Sequence, residues 1–294
     1  MGGGSENVFS RKAVLVVVSL LVVFIAPMFS STGLASAGGQ PKSCLNTWSV
    51  DDTDNMTTSD GFFAVTVEKI SSNAAIFVED GQIVSSTILN DIVSNWESII
   101  FTSTTNYFGT PPDIDDNCQI EIAILSIDGP GGEEGYFESG VSTLRESLIL
   151  DIDDLSERNR VMAHEFGQLI HHDNDPFEYI WVDEGTAGLS EFISFGDSTY
   201  LEEEANSWTL NSSTSLRWWD GRDSDAGSSF LFFSYLEDKL GGASGIRQLV
   251  SNPSLGGNGI ESLARNPGPG STPVGTSMSE VFANFSAAVT LDSA

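Results

Sequence analysis

The sequence predicts an α+β fold in which strands are gathered near the start and helices follow. Between residues 62 and 152 the segments rich in aromatic and β-branched residues are short and separated by turn residues. After Asp153 the apolar residues recur at helical spacing instead. At 294 residues the chain is long enough for one large domain or two modest ones around a buried core.

In chain order, residues 1–37 read as a secretory signal peptide. Arg11 and Lys12 precede an apolar run from Ala13 to Phe29, and Ala35-Ser36-Ala37 supplies a small-x-small cleavage site. The run approaches spanning length, so a retained anchor is the alternative. Pro27 and the cleavage site favour removal, after which no stable membrane span is expected, and the mature protein is expected outside the cell or on its surface. Residues 38–60, rich in Gly, Ser, Thr, Asn and Asp, read as an extended leader.

Residues 61–176 are expected to form an N-terminal α+β subdomain. Residues 62–70 and 74–79 are strand-like, with Ser71-Ser72-Asn73 between them as a turn. Residues 85–101 place Ile88, Ile92, Val93, Trp96, Ile99 and Ile100 at helical spacing. Ile120, Ile122 and Ile124 alternate as a strand does, and residues 147–152 form a further strand candidate beyond the Gly129-Pro130-Gly131-Gly132 loop. Helices are expected over 157–172, then, in a helical C-terminal subdomain spanning 177–294, over 183–195, 228–240 and 278–289. No stop signal closes the last of these, which leaves room for a longer parent protein.

Asp and Glu outnumber Lys and Arg 42 to 12, a formal charge of −30. Such a field excludes nucleic acid as a partner and fits a soluble extracellular protein. Asp113, Asp115 and Asp116 are an acid-rich spot of the kind that holds Ca²⁺, but they follow no EF-hand pattern. Cys44 and Cys118 are the two cysteines, and in an exported chain two thiols most simply form one disulfide. The competing reading, two reduced buried thiols, requires a cytosolic location.

The chemistry concentrates between Val161 and Phe192. His164 and Glu165 open an HExxH pattern, in which two histidines one turn apart bind zinc and the Glu is general base. Gln168 stands where the second His belongs. Residues four apart share a helix face, so His164 and Gln168 converge. Trp181-Val182-Asp183-Glu184-Gly185 offers Glu184 as a third ligand at the opening of the next helix.

On these residues the chain resembles the gluzincin metallopeptidases, and most closely their hyicolysin-like secreted branch. The specific matches are Ala163-His164-Glu165-Phe166-Gly167 and the stretch from Trp181 to Glu191. Weaker similarity runs through Gly135-Tyr136-Phe137, Leu148 to Asp151 and Phe232 to Leu236. The resemblance implies a zincin-like fold with a mixed β-sheet, and hydrolysis of protein or peptide substrates at Zn²⁺. It assigns His164 and Glu184 as metal ligands, Glu165 as general base, and the weak Gln168 to the remaining ligand position. A neutral amide is a poor donor for zinc, which prefers imidazole, thiolate and carboxylate. His171 and His172 are substitute candidates, although His171 lies about 10 Å further along the helix axis. Glu191, seven residues after Glu184, is a candidate for orienting His164. Relatives often use an anion-stabilising Tyr, for which Tyr235 and Tyr200 are the candidates. The alternative to a peptidase is a non-catalytic surface module that keeps the fold for binding or structure.

Overall fold

The computed structural model describes residues 44–138 and 145–292. The segment read as a signal peptide, and the first residues of the one read as a leader, lie outside the described residues. A six-stranded mixed sheet runs in the order β1-β2-β3-β4-β6-β5. Its strands are β1 (Thr53–Thr57), β2 (Phe62–Ile70), β3 (Ala74–Glu79), β4 (Ile120–Leu125), β5 (Gly135–Phe137) and β6 (Ser147–Asp151). The central β3-β4 and β4-β6 pairs are parallel, while β1-β2, β2-β3 and β5-β6 are antiparallel. Strand β1 falls inside the segment read as an extended leader. Its residues are mostly polar, so period-two patterning did not reveal it, yet Met56 is buried and its backbone completes the edge beside β2.

Parallel central strands need cover on both faces, and every residue of β4 and β6 is buried. Ile76, Ile122, Ile124, Leu148 and Leu150 belong to the main core beneath the helices. Phe77, Ala123, Leu125 and Ile149 point to the opposite face, joined by Val65, Val67 and Met56. The segment just after Cys44 covers that second face: the Trp48 ring meets Phe77 edge-on at 5.1 Å. Its indole N–H donates to the fully buried Glu121 at 2.9 Å. Burial pushes the Glu121 carboxyl up to about 6, against the pull of Arg145 and the Trp48 hydrogen bond.

The β3-β4 crossover is longer than the sequence pattern indicates. Helix α1 (Ser86–Asn95), capped by Ser85, continues through a π turn at Trp96–Ile100 into α2 (Phe101–Phe108). That turn keeps both Trp96 and Ile100 in the core. Strand β6 leads through a short 3-10 turn into α3 (Arg158–Asn174), which is followed by α4 (Ile180–Phe195). Helix α4 therefore begins three residues earlier than expected. Asp183 lies within its first turn, where a carboxylate favours the positive end of the helix. Trp181 and Val182 are helical and buried, with Trp181 packed on Phe232 and Phe233.

Helix α5 (Thr199–Leu210) precedes α6 (Asp223–Leu240), which opens a turn earlier than the apolar pattern implies. The short α7 (Ala243–Val250) and α8 (Gly257–Arg265) and a terminal α9 (Met278–Asp292) complete the helical part. No helix of the described residues is long and apolar enough to cross a membrane.

Cys44 and Cys118 are joined in a disulfide with Cα atoms 5.5 Å apart. The bond ties the strand-covering segment to the loop before β4, a pairing compatible with a secreted protein. Closing a loop of 74 residues stabilises a fold by roughly 4–5 kcal/mol on the chain-entropy model. Cys44→Ala is therefore expected to lower the urea midpoint by the equivalent of about that amount. An unchanged midpoint would show that Trp48 and its neighbours hold the segment without the bond.

Candidate functional site

The site lies where α3 and α4 cross under the edge strand β5. Glycine at 167 sets how closely the two helices approach. A Cβ there would meet the Ser190 Cβ at 2.7 Å. The Ser190 hydroxyl in turn donates to the Ala163 carbonyl at 2.6 Å and so bonds α4 to α3 at the residue just before His164. Gly167→Ala gains about 1 kcal/mol of helix propensity but overpacks the crossing at a cost of about 1–3 kcal/mol. The expected result is a net loss in thermal stability and a looser His164–Glu191 contact. A stabilised variant would contradict this reading of the crossing.

Three side chains converge at the crossing. His164 Nε2 lies 3.2 Å from Glu184 Oε2 and 3.2 Å from Gln168 Nε2. On the far side of the ring, His164 Nδ1 lies 2.7 Å from Glu191 Oε1. With Nδ1–H donating to Glu191, Nε2 faces Glu184 and Gln168, donating to Glu184 when the ring is charged and offering its lone pair when the ring is neutral. Burial opposes charge on His164, but its bonds to Glu184 and Glu191 outweigh that and hold its pKa well above the usual imidazole value. The same bond holds Glu184 below the usual carboxylate range, against its own burial. Two carboxylates around one imidazole thus favour a cation at this point, whether a proton or a metal ion.

The donor geometry fits zinc in position. Ligands about 2.0–2.1 Å from a tetrahedral ion lie roughly 3.3 Å from one another, close to both separations around Nε2. It fits less well in donor strength, because the third group is an amide. The amide nitrogen faces His164 as placed, and turning the amide about its last bond exchanges its N and O.

Glu165 projects beside this group on α3. Its Oε2 accepts the Phe137 backbone N–H of β5 at 2.9 Å, and burial pushes its carboxyl up to about 7. Gly135 permits that approach of β5, since a Cβ there would lie 2.3 Å from the Ile149 carbonyl and 2.7 Å from Val161. His164, Glu165 and Glu184 open onto a cleft of about 270 Å³ whose lining includes Glu134, Arg160, Tyr200, Glu204 and Trp219.

The substitute ligands are elsewhere. His171 is buried, with Nδ1 3.1 Å from both Asp183 Oδ1 and Thr186 Oγ1, and burial pushes it down to about 4. The ring of His172 packs against Phe137 at 5.4 Å. The helix does not unwind after Gly167, so neither imidazole reaches the ion position. Of the two tyrosines, Tyr200 lines the cleft, whereas Tyr235 lies outside its lining and packs on Phe285. The acid-rich spot also differs from expectation. Asp113 and Asp115 gather with the buried Glu146, not with Asp116, into a group whose ligand atoms lie within 4.8 Å of one another. Asp115 is engaged by the Asn117 backbone and side chain, so the grouping alone does not identify a calcium site.

Sequence reading missed α5, which brings Tyr200 and Glu204 to the cleft. Ser198 caps its first turn, and Leu201 and Trp208 are buried at a spacing of seven. A Ser before an acidic first turn was the available signal. Arg160 was also overlooked, although it sits one helical turn before His164.

No family model matches the chain, and no curated protein shows significant similarity to it.

Proposed function

We propose that the protein is a secreted zinc-dependent peptidase whose metal affinity is weakened by Gln168. The observation that carries this reading is the meeting of His164 Nε2, Glu184 Oε2 and the Gln168 amide at about ligand spacing, with His164 held from behind by Glu191. His164 and Glu184 would hold the ion, with the Gln168 amide oxygen as a weak third donor. Zinc at this position supplies Lewis-acid polarisation of a peptide carbonyl and a water of lowered pKa. Glu165, beside the ligands and at the cleft, takes the proton from the attacking water and hands it to the leaving amine. The carboxyl of Glu165 is buried and bonded to a backbone N–H, so it sits in one place while it does so.

One observation favours a second reading, a non-catalytic binding or structural module. A charged His164 donates its Nε2–H to Glu184, which also accepts from the Gln168 NH₂ group, the His164 bond doing more than the Gln168 one to hold the Glu184 pKa down. That arrangement satisfies all three groups with no ion.

Casein hydrolysis by the purified wild type, assayed before and after chelation and again after zinc is restored, separates the two readings. The peptidase reading expects slow cleavage that is lost on chelation and regained with zinc. A protein that takes up no zinc and cleaves nothing is the binding module.

A further inference from the structure

Behind His164 stands a second layer of charge. Glu191 is buried, at 3% exposure. Its Oε1 meets His164 Nδ1, while its Oε2 is buried with no hydrogen-bond partner. Among the described residues two positive or potentially positive side chains lie within ion-pair distance of it: His164 at 2.7 Å and Arg160 at 3.8 Å. A metal-ligating histidine is a neutral imidazole. With an ion bound, Arg160 is then the single cation left beside a buried carboxylate, which is strongly disfavoured when unpaired.

Arg160 is itself held on several sides. It pairs with Glu134, just before β5, and lies near Glu157 on its own helix. Its guanidinium stacks 3.8 Å over the Tyr200 ring of α5. Its side chain is 13% exposed, and these contacts join α3, α4, α5 and the approach to β5. The guanidinium therefore has little freedom to leave Glu191. A lysine keeps the charge but loses the planar stack on Tyr200 and the forked geometry.

We propose that Arg160 is the positioning residue of this site: it holds the Glu191 side chain in place against His164 Nδ1, so that the ring presents Nε2 to the cleft. This inference rests on the peptidase reading for its purpose but makes a claim about the imidazole that holds with or without a metal. Carboxylates and carbonyls behind metal-bound histidines fix ring orientation, and their loss typically weakens metal binding about 10–100-fold. Arg160 acts one step further out, through Glu191.

The chain has three histidines, so ¹⁵N-labelled imidazoles can be followed individually by NMR. The wild type is expected to show a His164 Nδ1–H proton protected from solvent exchange, both metal-free and after zinc addition. In Arg160→Gln that proton is expected to exchange at least about 10-fold faster, and zinc, where it binds, to bind about 10-fold more weakly. Arg160→Lys is expected to restore part of the protection, and it carries the test alone if Arg160→Gln does not fold. A folded Arg160→Gln with wild-type protection overturns the proposal, as does Arg160→Lys without any loss when it is the only folded variant. If no variant binds zinc, the peptidase reading fails, while the proton exchange still judges Arg160.

Discussion

Gln168→His is expected to raise zinc affinity by on the order of 100-fold or more, and casein hydrolysis along with it. The backbone already places position 168 one turn from His164 with its side chain 3.2 Å from Nε2, so an imidazole there enters a prepared position. It replaces a neutral amide by a nitrogen donor that zinc prefers and completes a His-His-Glu set with one place open for water. The substitution also removes the amide hydrogen bond to Glu184 that competes with the ion. Equilibrium zinc titration and initial rates on casein, wild type against variant, measure the effect. Equal affinity and equal rate in both would show that Gln168 is no handicap.

Glu165→Gln in the Gln168→His background is expected to lower kcat by about 10²–10⁴-fold, the range general-base catalysis supplies, while zinc remains bound. Glutamine keeps the size and can still accept the Phe137 N–H that Glu165 Oε2 accepts at 2.9 Å, but it cannot take a proton from water. The separation of the two readouts is the point. Loss of zinc together with activity would make Glu165 a ligand or a structural support, and retained activity would remove it from the chemistry.

How far these groups were legible in the sequence follows from how local each contact is. His164 and Gln168 meet because they are four residues apart on one helix, which spacing alone dictates. The disulfide joins the chain's two cysteines, as their number suggested, and the alternation of Ile120, Ile122 and Ile124 correctly separates the helix-covered face of β4 from the other. The meeting of His164 with Glu184 and Glu191 is different. It depends on the α3-α4 crossing, which the contact between Gly167 and Ser190 sets, and no periodicity encodes a crossing angle. Arg160 was hidden for a related reason. Its partners Glu134, Glu191 and Tyr200 come from three separate elements, one of them the unrecognised α5. Polar β1 was hidden because backbone pairing at the sheet edge, more than side-chain pattern, makes it a strand. The start of α4 was misplaced because Asp183 looks like a helix opener yet sits inside the first turn.

The most direct test of a weakened zinc site is the zinc held per chain by wild type and Gln168→His, titrated side by side at neutral pH. A weakened site holds one zinc per chain in both at saturation, with wild type filling only at concentrations on the order of 100-fold higher. One tightly held zinc in wild type, equal to the variant, contradicts the weakened site. No zinc in either contradicts the peptidase reading itself.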